Sequence, residues 1–165
     1  MIAEAEMENT LTPLLTFSVG SQHYGLLIDE VIEVASIVEL ITVPEASPEI
    51  LGVANRHGEA LPMLDLRQVF GHSAGEITSA TMFIVAVHRN EHGGERLMGL
   101  VVDLVNQVEY LESDKLQEMT SSGKYIRGIV GRSTGLVQIL ALPALFSAYL
   151  EDVRTAGQFF EGDQE

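Results

Sequence analysis

The chain has 165 residues, of which 46% are apolar and 20% charged, a composition that allows a buried core in one domain-sized unit. Its formal net charge of −15 opposes binding to a phosphate backbone and excludes the small basic barrels that bind RNA. The absence of cysteine excludes disulfides, thiol nucleophiles and thiolate metal sites, and no apolar run approaches the roughly twenty residues of a membrane span.

The N-terminal MIAEAEMENT carries three glutamates and no basic residue or signal-like apolar stretch, so the expected setting is cytoplasmic, without membrane insertion. Residues 1–12 and 155–165 read as flexible acidic tails. Leu14 to Val19 and His23 to Ile28 are β-favouring runs around Gly20 and Ser21, the pattern of a hairpin. A third strand is expected over Val31 to Val38, after a turn at Asp29 and Glu30. Pro44 and Pro48 demand an irregular connector between Glu39 and Glu49. Gly52 to Asn55 and Glu59 to Met63 form a second hairpin around Arg56, His57 and Gly58. Asp65 is placed to cap a short helix, Leu66 to Phe70, which Gly71 ends. The second half repeats this order over Thr81 to Val87, Arg96 to Val105, Gln107 to Leu111, Ile129 to Gly131 and Leu136 to Leu140. Ser113 to Lys124 corresponds to the proline connector, with room for one helical turn, and a helix runs from Leu142 to about Arg154.

The repetition reaches individual residues. At an offset of seventy-six, Ile50 to Phe70 overlies Ile126 to Phe146 without a gap, pairing Gly52 with Gly128, Arg56 with Arg132 and Phe70 with Phe146. At seventy-four, GLLIDEVIEV (Gly25 to Val34) overlies GLVVDLVNQV (Gly99 to Val108). One small unit has therefore been built twice. Five short strands closing on one helical turn describe an SH3-like barrel, because closure hides the sheet edges. The fold class expected is mainly β: two SH3-like five-stranded barrels in tandem, residues 13–75 and 76–154, with short helices after each fifth strand and at the C-terminus. Phe70 and Phe146 are expected to plug equivalent barrel ends.

The segment VPEASPEILGVANRHGEALPMLDLRQVFG (Val43 to Gly71) and the paired YGLLIDEVIEV (Tyr24 to Val34) and MGLVVDLVNQVEYL (Met98 to Leu111) resemble the CheW-like chemotaxis coupling proteins, a family that includes the regulatory domain of the kinase CheA. The resemblance spans roughly Leu14 to Leu150. It implies a non-enzymatic adaptor, without cofactor or metal, that couples the cytoplasmic tip of a methyl-accepting chemoreceptor to the regulatory domain of a CheA-type histidine kinase. Positions of receptor or kinase contact in the family map onto Val31, Glu33 and Gly52. Where the family commonly has Asn-Leu-Arg-Gly, this chain has Asn55, Arg56, His57 and Gly58, so the arginine moves one place and His57 takes its position. Histidine lacks the bidentate fork of arginine, which points to a specialised receptor or kinase partner.

Other readings of the same residues are blander. Asp29 and Asp103 fall at matching repeat positions as a carboxylate pair would, but turn chemistry accounts for both. Capping and surface solvation account for Asp65 and Arg67. His88 and His92 have the i, i+4 spacing of a helical zinc pair, yet the spacing falls across a hairpin loop and has no HExxH context. No G-x-x-x-x-G-K-[ST] phosphate loop occurs. Val31 and Glu33, two apart on a strand, are expected to share one face of a recognition strand. Arg56 and Arg132, at equivalent turn tips, serve either contact with an acidic partner or solubility. Two alternatives remain: a coupling protein of a related receptor-kinase pathway such as twitching motility, and a small-ligand or enzymatic domain using His57, Glu59 and Asp65 in a cleft between the barrels.

Overall fold

β-Favouring runs separated by glycine turns become the strands of a mainly β chain, whose computed structural model describes residues 10–72, 75–117 and 123–150. β1 (Leu11–Val19) and β2 (Gln22–Leu27) form a hairpin whose Gly20 has a φ of 61°. A single 3-10 turn, Ile28–Glu30, leads into β3 (Val31–Ser36). β4 (Leu40–Ile41), β5 (Ile50–Arg56), β6 (Glu59–Asp65) and the one-turn helix α1 (Leu66–Val69) complete the first copy. The second copy comprises β7 (Met82–Arg89), β8 (Glu95–Val102), β9 (Leu104–Glu112), α2 (Ser113–Gln117), β10 (Ile126–Arg132) and β11 (Gly135–Leu140). A last helix, α3, covers residues 142–150.

Three local expectations need correction. The break in the second copy falls at Asp103, not at Asn106, because the Asp103 carboxylate accepts from the Gly20 amide at 2.6 Å and its own amide donates to the Ser18 carbonyl. The proline connector contains a paired stretch, β4, ahead of Pro44. Leu11 and Thr12 are strand residues and not tail, paired with Glu112 and Leu111; the remainder of both expected tails lies outside the described residues.

A boundary at residue 75 does not divide the sheets. One sheet has the order β10-β11-β2-β1-β9 and the other β3-β7-β8-β6-β5-β4. Each copy therefore lends its first hairpin to the other: β2 lies parallel to β11, with Ile139 opposite Gly25, as β8 lies parallel to β6, with Met63 opposite Gly99. The crossing occurs at the Ile28–Glu30 turn, beyond which β3 pairs with β7 in the other sheet. The repeat persists in the irregularities. β5 and β10 shift register at Ile50/Gly52 and Ile126/Gly128, and β3 and β9 do so where Ile32 and Asn106 fall. Ion pairs of Arg56 with Glu33 and of Arg132 with Glu109 tie β5 to β3 and β10 to β9, completing two SH3-like barrels. Barrel A is the unit containing β1 and barrel B the unit containing β4.

The largest apolar cluster draws from both sheets, with Phe17, Tyr24 and Leu26 of one against Ile84, Met98 and Leu100 of the other, and with Leu142, Leu145 and Phe146 of α3. Smaller clusters fill the barrels: Leu61, Met63, Phe83 and Val85 in B, and Leu14, Val130, Val137 and Ile139 in A. Phe70 and Phe146 do not plug barrel ends. Both belong to the shared layer, where exchange of the hairpins brings Tyr24 under Phe70 with ring centroids 4.7 Å apart and His88 beside Phe146 at 5.6 Å.

Candidate functional site

The β5–β6 hairpin turns through His57 and Gly58 with φ of 53° and 84°, two positive values as a type I′ turn requires. The Gly58 amide donates to the Asn55 side-chain oxygen at 2.8 Å, which explains an asparagine before the turn. Arg56 ends β5, and its Nε donates to Glu33 Oε1 at 3.0 Å. His57 projects at the exposed tip. The pair is open to water, with side-chain exposures of 22% and 43%, so it contributes at most about 1 kcal/mol to folding.

Val31 and Glu33 do not share a face. Ile32 is the extra residue of a bulge opposite Ala86 and Val85, and the alternation resets across it. Val31 and Val34 pack against the shared core, whereas Ile32 and Glu33 are exposed. Gly52 is buried at the register shift of β5, with a φ of 152°. A Cβ there would stand 2.5 Å from the Ile41 carbonyl oxygen of β4. Of the sequence-derived set, Glu33 and Arg56 are joined, His57 follows Arg56 at the exposed turn, Val31 is half-buried against the shared core and Gly52 is buried against β4.

Arg132 repeats the role of Arg56, but its glutamate does not repeat. Its guanidinium donates to Glu109, whereas the position equivalent to Glu33 is Gln107. Burial by itself raises the Glu109 carboxyl, yet hydrogen bonds from Arg132 and Thr16 and the guanidinium charge outweigh it and hold the group below the ordinary glutamate value. Both turn-tip arginines are therefore engaged within the chain. No signal in the sequence marks Glu109, because the repeat places it two residues out of step.

Asp65 caps α1 as expected, accepting from the Arg67 amide at 3.1 Å. Surface solvation of the pair is wrong: Asp65 is 0% and Arg67 3% exposed. The carboxylate also accepts from Arg67 Nε at 2.8 Å, Arg67 Nη2 at 3.2 Å and Gln68 Nε2 at 3.1 Å. Arg67 continues to Gly75 O at 3.2 Å and approaches Asp103 at 3.9 Å, tying α1 to the β8–β9 turn.

The three polar residues of an enzymatic reading do not converge. His57 and Glu59 lie at the hairpin tip, and Asp65 sits at the far end of β6, on the order of 20 Å away along an extended strand and already saturated. A shallow depression of about 140 Å³ beside the hairpin is lined by Arg56, Glu59, Ala60, Leu61, Glu95 and Leu97. Two of its charged groups are held in ion pairs with residues outside the depression, Arg56 with Glu33 at 3.0 Å and Glu95 with Arg89 at 2.8 Å. His88 faces Phe146 rather than His92.

Residues 13–149 match the CheW-like domain model, a stretch that takes in both barrels. The chain belongs to the CheW-like family. Among CheW-like relatives, a probable chemotaxis protein CheW of Rhizobium etli is 28% identical, over 81% of this chain and 86% of its own length. The chemotaxis protein CheW of Rhizobium meliloti is 26% identical over 87% of this chain and 93% of its own. The crystal structure of the scaffolding protein TtCheW from Thermoanaerobacter tengcongensis aligns with a TM-score of 0.68, at 24% identity, covering 79% of this chain and 89% of that one. The tandem SH3-like architecture is thus the CheW fold. Among the described residues, no helix is long and apolar enough to cross a membrane.

Proposed function

We propose that this CheW-like chain is a cytoplasmic adaptor that couples the tip of a chemoreceptor to the regulatory domain of a CheA-type histidine kinase by binding alone. The observation that carries the reading is the match over residues 13–149, which includes both barrels and so both surfaces of a two-faced scaffold. The polar groups support it, because they close barrels or clamp turns and none of the candidate catalytic residues converge on a cleft. In barrel B the contact surface consists of Glu33, Arg56 and His57. Arg56, displaced by one place from the family's arginine, holds Glu33 from the last strand position. That leaves the tip to His57, which donates singly where an arginine would fork.

The test is affinity capture of the tagged chain from its native cell. A CheA-type kinase and a receptor are expected to copurify, and His57→Arg is expected to change the ratio in which they are recovered. Recovery of neither contradicts the adaptor reading, and an unchanged ratio removes His57 from the contact surface.

A further inference from the structure

We propose that the chain covers barrel A with its own C-terminal segment: residues 158–165, led by Phe159 and Phe160, lie along the free edge of β10 as β4 lies along β5. The two copies differ at this edge. In barrel B, Val53 of β5 pairs with Ile41 of β4 and is 5% exposed. Its counterpart seventy-six residues later is Ile129 of β10, which is 42% exposed and, among the described residues, has no strand on that side. Leu136 of β11 is 64% exposed on the same face, opposite Gly131, which offers it no side chain. Ile129 and Leu136 are diagonal neighbours across the hairpin, close enough to receive one large apolar group. An unpaired edge beside exposed aliphatic side chains is an open template for another strand.

Four of the six phenylalanines, Phe17, Phe70, Phe83 and Phe146, belong to the apolar clusters, and the other two stand side by side at Phe159 and Phe160, outside the described residues. Their segment starts close to the edge. α3 ends at residue 150, and the ring of Tyr149 is 5.9 Å from that of Tyr125, which immediately precedes β10. The chain from Leu150 to Phe159 can span roughly 30 Å, against about 13 Å along the strand from Tyr125 to Ile129. Tethering over this range gives an effective concentration on the order of millimolar, so even a weak contact stays occupied. Charge sets the direction. Lys124 and Arg127 are exposed at the head of β10, and among the described residues neither is held in an ion pair, Arg127 feeling the charge of Glu30 without bonding to it. β4 runs antiparallel to β5, so a strand that repeats it on β10 meets Val130 and Ile129 first and Arg127 next. Phe159 and Phe160 then fall beside Ile129 and Leu136, and Glu161, Asp163 and Glu165 come up against Arg127 and Lys124. On a chain of net charge −15, few other surfaces attract a segment that from Ala156 onward holds three carboxylates and no base.

The chain has no cysteine, so Gln158→Cys carries a single nitroxide label on the full chain, and amide NMR reads which residues it broadens. Residues 127–131 and 136 are expected to broaden, to a degree independent of protein concentration. Phe159→Ser/Phe160→Ser is expected to abolish that broadening and to speed hydrogen exchange about tenfold at the β10 amides directed away from β11. Ile129→Ser, a change on an exposed face, is expected to weaken the broadening, and raised salt to do the same. Broadening that grows with protein concentration means that the edge takes the tail of a second copy, and overturns the proposal. Broadening spread evenly over the surface overturns it as well. So does exchange at β10 that the paired phenylalanine change leaves unaltered, since another part of the chain then covers the edge.

Discussion

Removing Asp65 should cost more stability than any exposed ion pair in the chain, and the second copy of the repeat states why. The Asp65 carboxylate is fully buried and takes three hydrogen bonds from Arg67 and one from Gln68. In Asp65→Ala the guanidinium stays 3% exposed, with Gly75 O and a carboxylate at 3.9 Å as its remaining partners. An uncompensated buried charge costs about 3–5 kcal/mol, and loss of the helix cap adds about 1 kcal/mol. Set against a total of roughly 5–15 kcal/mol, this leaves a marginal protein. Seventy-six residues later the equivalent positions are Ala141 and Pro143, so the fold already closes one α-turn without the charges. Asp65→Ala/Arg67→Met should therefore be the more stable of the two variants, by at least about 2 kcal/mol. Urea unfolding of wild type, single and double variants reads the difference as a shift in midpoint at constant slope. A single-variant loss below about 1 kcal/mol, or a double variant no better than the single, would refute the role given to the pair.

Phe146→Ala should destabilise by about 3–5 kcal/mol, as Phe146 is 2% exposed in the shared layer, and Phe70→Ala by less, as Phe70 is only partly buried; equal shifts in melting temperature would contradict this placement. Val31→Arg should lower the melting temperature, because the side chain packs on the shared core, and a binding defect with unchanged stability would return Val31 to the contact surface. Glu109 sits below the ordinary glutamate value of 4.5, so its pairing with Arg132 stabilises the fold above that pH and is lost as pH falls through the lower folded-state value. Glu109→Gln should accordingly flatten the acid side of the stability profile, and an acid limb as steep as that of wild type would count against the pairing.

Much of the architecture was legible because the repeat encodes it twice. The hairpins and the short helix after Asp65 are where the sequence places them, whereas the matching register shifts at Gly52 and Gly128 were not anticipated. Exchange of the first hairpins was not legible. Two copies of one unit present the same residues whether each closes on itself or on the other. At the site, Glu33, Arg56 and His57 were found as residues, but the Glu33–Arg56 contact joins positions far apart in the chain. Ile32 hid a bulge, since a β-branched residue in a β-branched run looks like ordinary strand, and the strict alternation assumed for Val31 and Glu33 fails there. Gly52 read as a contact because nothing local reveals that a carbonyl from β4 occupies the space beside it.

Reconstitution of coupling tests the central claim most directly. Membranes carrying the receptor and the purified CheA-type kinase are mixed with and without the full chain, and kinase phosphorylation is followed as receptor ligand is added. The adaptor account predicts a ligand response that appears only when the chain is present. The same response with and without it would contradict the account.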